Sequence, residues 1–261
     1  MILFITVIFS FFQECGFMIN ISFQQYKVWD VATRLFHWIN FITIICLIFM
    51  GLMMLFKKEL GITGIEAKVG LKEVHVIIGY IFVLNFAWRI TWGFLGNKYA
   101  RWSNILPGKG FVSLVRNYIR SVKGGEPEQY IGHNPLGRLA ISFIFLLMIT
   151  MAVTGLIRAG TDIYYPPFGS LVTDYIAEPG TDPDSIKPYV ADGTNEDKAA
   201  SLKAFKGPFG TIHIYSSYTL MFMIVLHIFV VVRTEIREGG SLVTAMFTGK
   251  KILTRKPVDL D

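Results

Sequence analysis

Thr211-Ile-His213-Ile-Tyr-Ser-Ser-Tyr-Thr-Leu-Met-Phe-Met-Ile-Val-Leu-His227-Ile-Phe-Val-Val-Val232 runs for twenty-two residues without a lysine, arginine, aspartate or glutamate. That length, as a helix, crosses the roughly 30 Å hydrocarbon core of a bilayer, so the stretch is predicted to be a transmembrane helix. Its two histidines are fourteen residues apart. At 3.6 residues per turn they return to nearly the same face, about 21 Å apart along the axis, one near each leaflet. An ionisable side chain at membrane depth is costly and rare, which makes it a functional candidate. A single such histidine is as readily a satisfied polar residue of the core, but two on one face at this separation are harder to explain that way. Neutral imidazole is a common ligand for metals and for haem iron. The separation is too long for one metal centre, so the helix serves two, and each needs a partner from another helix.

The composition agrees with a membrane setting. The 261 residues are 52% hydrophobic with a mean hydropathy of +0.48, too apolar for an ordinary soluble domain and consistent with one polytopic membrane domain. In a soluble protein the net charge of +6 would suggest nucleic acid. Here it becomes a question of which loops hold the charge, and no nucleic-acid partner is expected. Cys15 and Cys46 lack any CxxC or CxxCH context, which argues against a disulfide framework, a zinc or iron-sulfur site and covalently attached haem. Any haem is then held by ligation and packing, as a b-type haem.

Three further spans precede the first. One is expected over about 35–56, with His37 at its start beside Trp38 and Arg34. Gly51, fourteen residues on, shares that face at the opposite leaflet, where a missing side chain lets a flat, bulky group approach the backbone. A second is expected over about 74–94 and opens with His75. It runs the other way across the membrane, so His75 marks the opposite leaflet from His37. Arg89 falls near the level of His37, where a buried cation needs an anion; a haem propionate and snorkelling to lipid phosphate are the two candidates. A third span over about 139–157 holds no histidine and reads as a packing wall. Residues 1–25 receive no role: the apolar run 2–12 is too short to span and lacks the charged leader and cleavage site of a signal peptide, and Met18 is an alternative start.

The connection 96–136 is rich in lysine and arginine, with a short amphipathic helix expected on the membrane surface at 111–119. The tail 236–261 is basic as well, with Lys250, Lys251, Arg255 and Lys256. The long loop 158–210 has eight acidic residues against five basic ones, together with Pro166-Pro167, Pro179-Gly180 and Asp192-Gly193. It is expected to be irregular and exposed, a docking surface for a soluble partner. By the positive-inside rule both termini are cytoplasmic and the acidic loop faces outward, although the lysines of the loop between the first two spans depart from that pattern. Depth then pairs the ligands: His37 with His227 near the cytoplasmic leaflet, His75 with His213 near the outer one. Two bis-histidine sites about 20 Å apart, with no open coordination position, favour electron transfer over oxygen chemistry.

Arg34-Leu-Phe-His37-Trp38, His75-Val-Ile-Ile-Gly79-Tyr80, Gly132-His-Asn-Pro-Leu-Gly137 and the spacing from His213 to His227 resemble the bacterial cytochrome b561 and nickel-iron hydrogenase b-type cytochromes across about residues 26–235. Kinship to formate dehydrogenase membrane subunits is more distant. The resemblance implies an all-α integral membrane fold, a four-transmembrane-helix bundle holding two b-type haems in the bacterial cytoplasmic (inner) membrane. It implies His37, His75, His213 and His227 as axial ligands of the two irons; Arg34, Gly51, Gly79 and Arg89 are the further candidates for packing the haems or binding propionates. It implies electron exchange with quinone near the cytoplasmic haem, with His133 and Asn134 beside the quinone head group; a helix cap and turn is the other reading of that pair. The partner would be a periplasmic redox protein such as a hydrogenase, a c-type cytochrome or a reductase. A stand-alone oxidoreductase passing electrons from superoxide or another small donor to quinone would use the same ligands. A zinc or copper transporter fits less well, since intramembrane carboxylates are missing.

Overall fold

The computed structural model describes residues 23–238 and 241–260. Its framework is four long helices: α1 (Val31–Leu55), α2 (Ile65–Leu95), α5 (Pro135–Ile163) and α7 (Glu196–Glu238). Each contains a stretch long and apolar enough to cross a membrane. Large side chains such as Leu84, Phe94, Phe222 and Phe229 are mostly exposed, which in water would be an aggregation hazard and in a bilayer is the lipid-facing surface. Between them lie α3 (Trp102–Ile105), α4 (Phe111–Lys123) and α6 (Gly169–Ile176), and α8 (Leu242–Thr248) follows α7.

The helix starts follow local chemistry. Asp30 caps α1, its Oδ1 accepting from the Thr33 backbone N–H at 2.8 Å, while Oδ2 accepts from Trp92 Nε1 of α2 at 3.0 Å. Burial raises the Asp30 pKa, but these hydrogen bonds outweigh it and hold the carboxyl below its usual value. Asn134 caps α5, accepting from Gly137 N at 2.7 Å, and Pro135 takes the first helical position, where its missing N–H is no loss. In α7, Pro208 lies inside the helix, where it removes one backbone donor.

α1 packs along α2 and α5 packs along α7, with α2 touching α5 more sparsely. Phe36, Ile44, Phe82, Phe86, Phe145 and Met148 form the core between α1, α2 and α5. α7 meets α5 at length and is not packed along α1 or α2, although its Ile224 packs against the core those helices share.

The helices outrun the apolar windows read from the sequence, because hydropathy marks where lipid ends rather than where the helix ends. The expectation of an irregular, exposed loop over 158–210 is corrected accordingly. Its first residues belong to α5, its last fifteen to α7, and α6 and a 3-10 turn (Pro183–Ser185) occupy part of the remainder. Val172, Ile176 and Ile186 are buried there. The segment after 235, read as a separate tail, is folded back. β2 (Lys250–Leu253) pairs antiparallel with β1 (Gln24–Lys27), with Gln24 opposite Leu253, and Val28, Trp29, Ile131, Ala245 and Leu253 close a second small core. Gly249, at φ +77°, is required at the junction, since a Cβ there would meet the Trp29 carbonyl oxygen at 2.5 Å. α4 covers the expected surface helix, with Arg120 and Lys123 in its last turn, where cations suit the helix dipole. The N-terminal run 2–12 and Met18 lie outside the described residues.

The alternating helices define two ends. We call the one holding residues 164–195 the loop end, and the one holding the strands and α8 the tail end.

Candidate haem-binding core

The four span histidines are all partly buried. His75 of α2 and His213 of α7 meet at the loop-end level, ring centroids 6.4 Å apart and planes at 72°. The gap is wide enough for one ion to be bound by both rings through bonds of about 2.0–2.1 Å. Towards the tail end, His37 of α1 lies near enough to His227 for the charge of one to act on the other. Fourteen residues of α7 separate the two levels, about 21 Å along its axis.

Several atoms here have nothing in the protein to satisfy them. Nδ1 of His37 and of His75 are buried without a hydrogen-bond partner, an unusual state for polar atoms in a folded interior. Beside Gly51 and Gly79, a Cβ would meet no atom within 4 Å. Among the described residues no group of three or more histidine, cysteine, aspartate or glutamate side chains could enclose a metal ion. A flat group that brings its own equatorial ligands and requires only two imidazoles fits this arrangement; a zinc or copper cage does not.

α5, expected only as a wall, contributes a polar contact that sequence reasoning missed. Thr154 Oγ1 stands 2.8 Å from His213 Nδ1 and donates its one proton to the Thr150 carbonyl at 2.6 Å. With that proton committed, the hydroxyl accepts from Nδ1–H, leaving the Nε2 lone pair of His213 free for a metal. Gly155 lies against the same ring, 3.5 Å from a Cβ to His213 Cε1. The sequence signal is weak, because mid-helix threonines commonly bond to their own helix, as Thr150 also does.

The remaining candidates divide. Arg89 is 3% exposed, so it does not snorkel to lipid. Its Nη2 donates to the Ala100 carbonyl at 2.9 Å, its guanidinium lies over Phe36, Trp102 and Phe145, and its Nη1 has no partner. Arg34 is turned to the C-terminal segment, donating to the Phe247 carbonyl, next to Trp38, whose Nε1 donates to Met246 O. Asn134 is the helix cap, and its amide nitrogen also donates to the Tyr118 hydroxyl, so the cap is the reading the fold realises. His133 instead packs its ring 4.8 Å from Trp29, with Nδ1 buried and unpartnered. Burial, reinforced by Lys251, Arg89, His227 and Arg138 nearby, pushes its pKa down to about 3.

The chain is similar to curated hydrogenase cytochromes. It is 25% identical to the probable Ni/Fe-hydrogenase B-type cytochrome subunit of Rhodobacter capsulatus, over 86% of this chain and 80% of that one. It is 25% identical to that of Rhizobium leguminosarum bv. viciae, over 88% and 90%, and 28% identical to the hydrogenase 1 subunit of Escherichia coli K12, over 50% and 59%. No solved structure matches it. The family model for prokaryotic cytochrome b561 matches residues 28–249, nearly the whole described fold. With four membrane-length helices and imidazoles set at two levels between them, this chain belongs to the prokaryotic cytochrome b561 family, multi-pass b-type haem proteins of the bacterial inner membrane.

Proposed function

We propose that the chain is a di-haem electron-transfer subunit that carries electrons between a hydrogenase docked outside the membrane and the quinone pool on the cytoplasmic side. The observation that carries this reading is the His75–His213 ring pair; His37 comes within electrostatic reach of His227, fourteen residues further along α7. The hydrogenase follows from the similarity to B-type cytochrome subunits of Ni/Fe-hydrogenases. Orientation follows from the tail end, where the basic connection between α2 and α5 and the basic C-terminal segment gather; by the positive-inside rule that end is cytoplasmic.

A b-type haem held by the imidazoles of each pair would supply one-electron exchange. The chain's own part is to hold the ligands at two depths, fix the His213 tautomer through Thr154, and keep water out with the Phe36, Phe86 and Phe145 stack. At the tail end, His133 offers an unpartnered ring nitrogen beside Trp29 and near His227, which suits a quinone head group needing a hydrogen-bond partner within reach of the inner haem.

The test is a reduced-minus-oxidised spectrum with haem quantification on the purified protein. Two low-spin b haems per chain are expected. H37A and H227A should each abolish the same spectral component, and H75A and H213A the other. A single haem, or partners that delete different components, refutes the reading.

A further inference from the structure

Asp162, near the loop end of α5, is gripped by three cations from three helices. Lys72 Nζ of α2 lies 2.9 Å from Oδ2, Arg158 Nη2 of α5 lies 2.7 Å from Oδ2, and Lys206 Nζ of α7 lies 3.0 Å from Oδ1. The Asp162 side chain is 11% exposed and the three cations between 23% and 31%. One carboxylate against three cations leaves two positive charges in excess. Surplus positive charge at a partly buried site near lipid is costly, so the cluster is suited to receive further anions.

The cluster's place says which anions. Lys72 precedes His75 by three residues, Arg158 follows Thr154 by four, and Lys206 precedes His213 by seven. At 1.5 Å per residue they stand about 5, 6 and 10 Å to the loop side of the imidazole level, on helices whose ligand faces they share or adjoin. Arg158 and Lys72 are close enough to act on the charge of His75, and Arg158 on that of His213. The loop reaches the cluster through Tyr189, whose ring lies 5.2 Å from Lys72 Nζ.

We propose that Lys72, Arg158 and Lys206 form the binding site for the two propionate carboxylates of the haem held by His75 and His213, with Asp162 holding the three cations in register. This rests on the di-haem reading above. Two carboxylates balance the two surplus charges, and the same cations favour the reduced state of that haem electrostatically. Arg34 and Arg89 lie towards the tail end and cannot serve this level.

The experiment reconstitutes the full-length chain, wild type and K72Q/K206Q, with haem b or with its dimethyl ester, whose propionates carry no charge. For haem b the double variant should retain the loop-end haem about ten-fold less tightly. Its reduced-to-oxidised ratio at fixed potential should fall about ten-fold, equivalent to about 59 mV for a one-electron couple. For the ester the double variant should bind no worse than wild type, and K72R/K206R should behave as wild type with both. Equal loss with both haems would show that the cluster serves only the fold, and no loss with either would assign the cations to lipid phosphate; each outcome overturns the proposal. A wild-type chain that takes up no haem at the loop-end level overturns the di-haem reading as well, which separates the two failures.

Discussion

Replacing Thr154 with valine keeps the shape of a side chain that is 4% exposed and removes only the oxygen 2.8 Å from His213 Nδ1. A neutral hydrogen bond contributes a net ~0.5–1.5 kcal/mol, and a buried donor left unpaired costs ~1–3 kcal/mol. The loop-end site should therefore weaken by roughly 5- to 150-fold, overlapping the ~10- to 100-fold effects of groups that orient metal-bound histidines. A second consequence has a definite sign. An acceptor on Nδ1–H makes the imidazole a stronger donor and favours oxidised iron, so T154V should raise the midpoint potential of the haem at His75 and His213. A differential effect of about 0.7 kcal/mol corresponds to about 30 mV for one electron. T154S keeps the hydroxyl and should behave as wild type. The assay is haem quantification with a spectrally resolved redox titration, in which the tail-end haem is the internal control. If T154V holds the same haem at the same potential, or shifts both haems equally, the tautomer argument is wrong.

His133 makes a pH prediction. Its pKa is pushed down from 6.5 to about 3 by burial first and neighbouring cations second, so between those values the unfolded chain binds the proton that the folded chain excludes. Stability from this group is complete above about pH 6.5 and declines by up to ~1.4 kcal/mol per unit as pH falls towards 3. H133Q should flatten the loss of thermal stability between pH 7 and 5 relative to wild type; an unchanged slope contradicts the assignment. At Gly93 of α2, a Cβ would lie 2.1 Å from Trp102 Nε1, a ring fixed by donation to the Ile90 carbonyl and by the Arg89 guanidinium above it. G93A should cost ~1–3 kcal/mol, read as a lower melting temperature in detergent, and an unaltered melting temperature would mean the indole yields freely.

Local information was enough for much of this protein. Hydropathy over a helical window depends on neighbouring residues alone, so four spans could be placed from the chain itself, and the fourteen-residue spacing of His213 and His227 fixed two levels on one helix. The alternation of helix direction then assigned His37 and His75 to opposite levels, and the His75 and His213 rings lie with centroids 6.4 Å apart. What the sequence could not supply were contacts between polar residues far apart in the chain. Thr154 and His213 are 59 positions apart, and Lys72 and Asp162 are 90 apart. No pattern marks a threonine or an aspartate for such a role, because either side chain is ordinarily satisfied by its own helix or by water. The same holds for the C-terminal segment: a run of lysines reads as a solvated tail, yet Lys251 is 4% exposed with its Nζ donating to the Gly132 carbonyl. Burying that ammonium depends on a carbonyl brought to it across more than a hundred residues, a condition that exists only once the helices have packed.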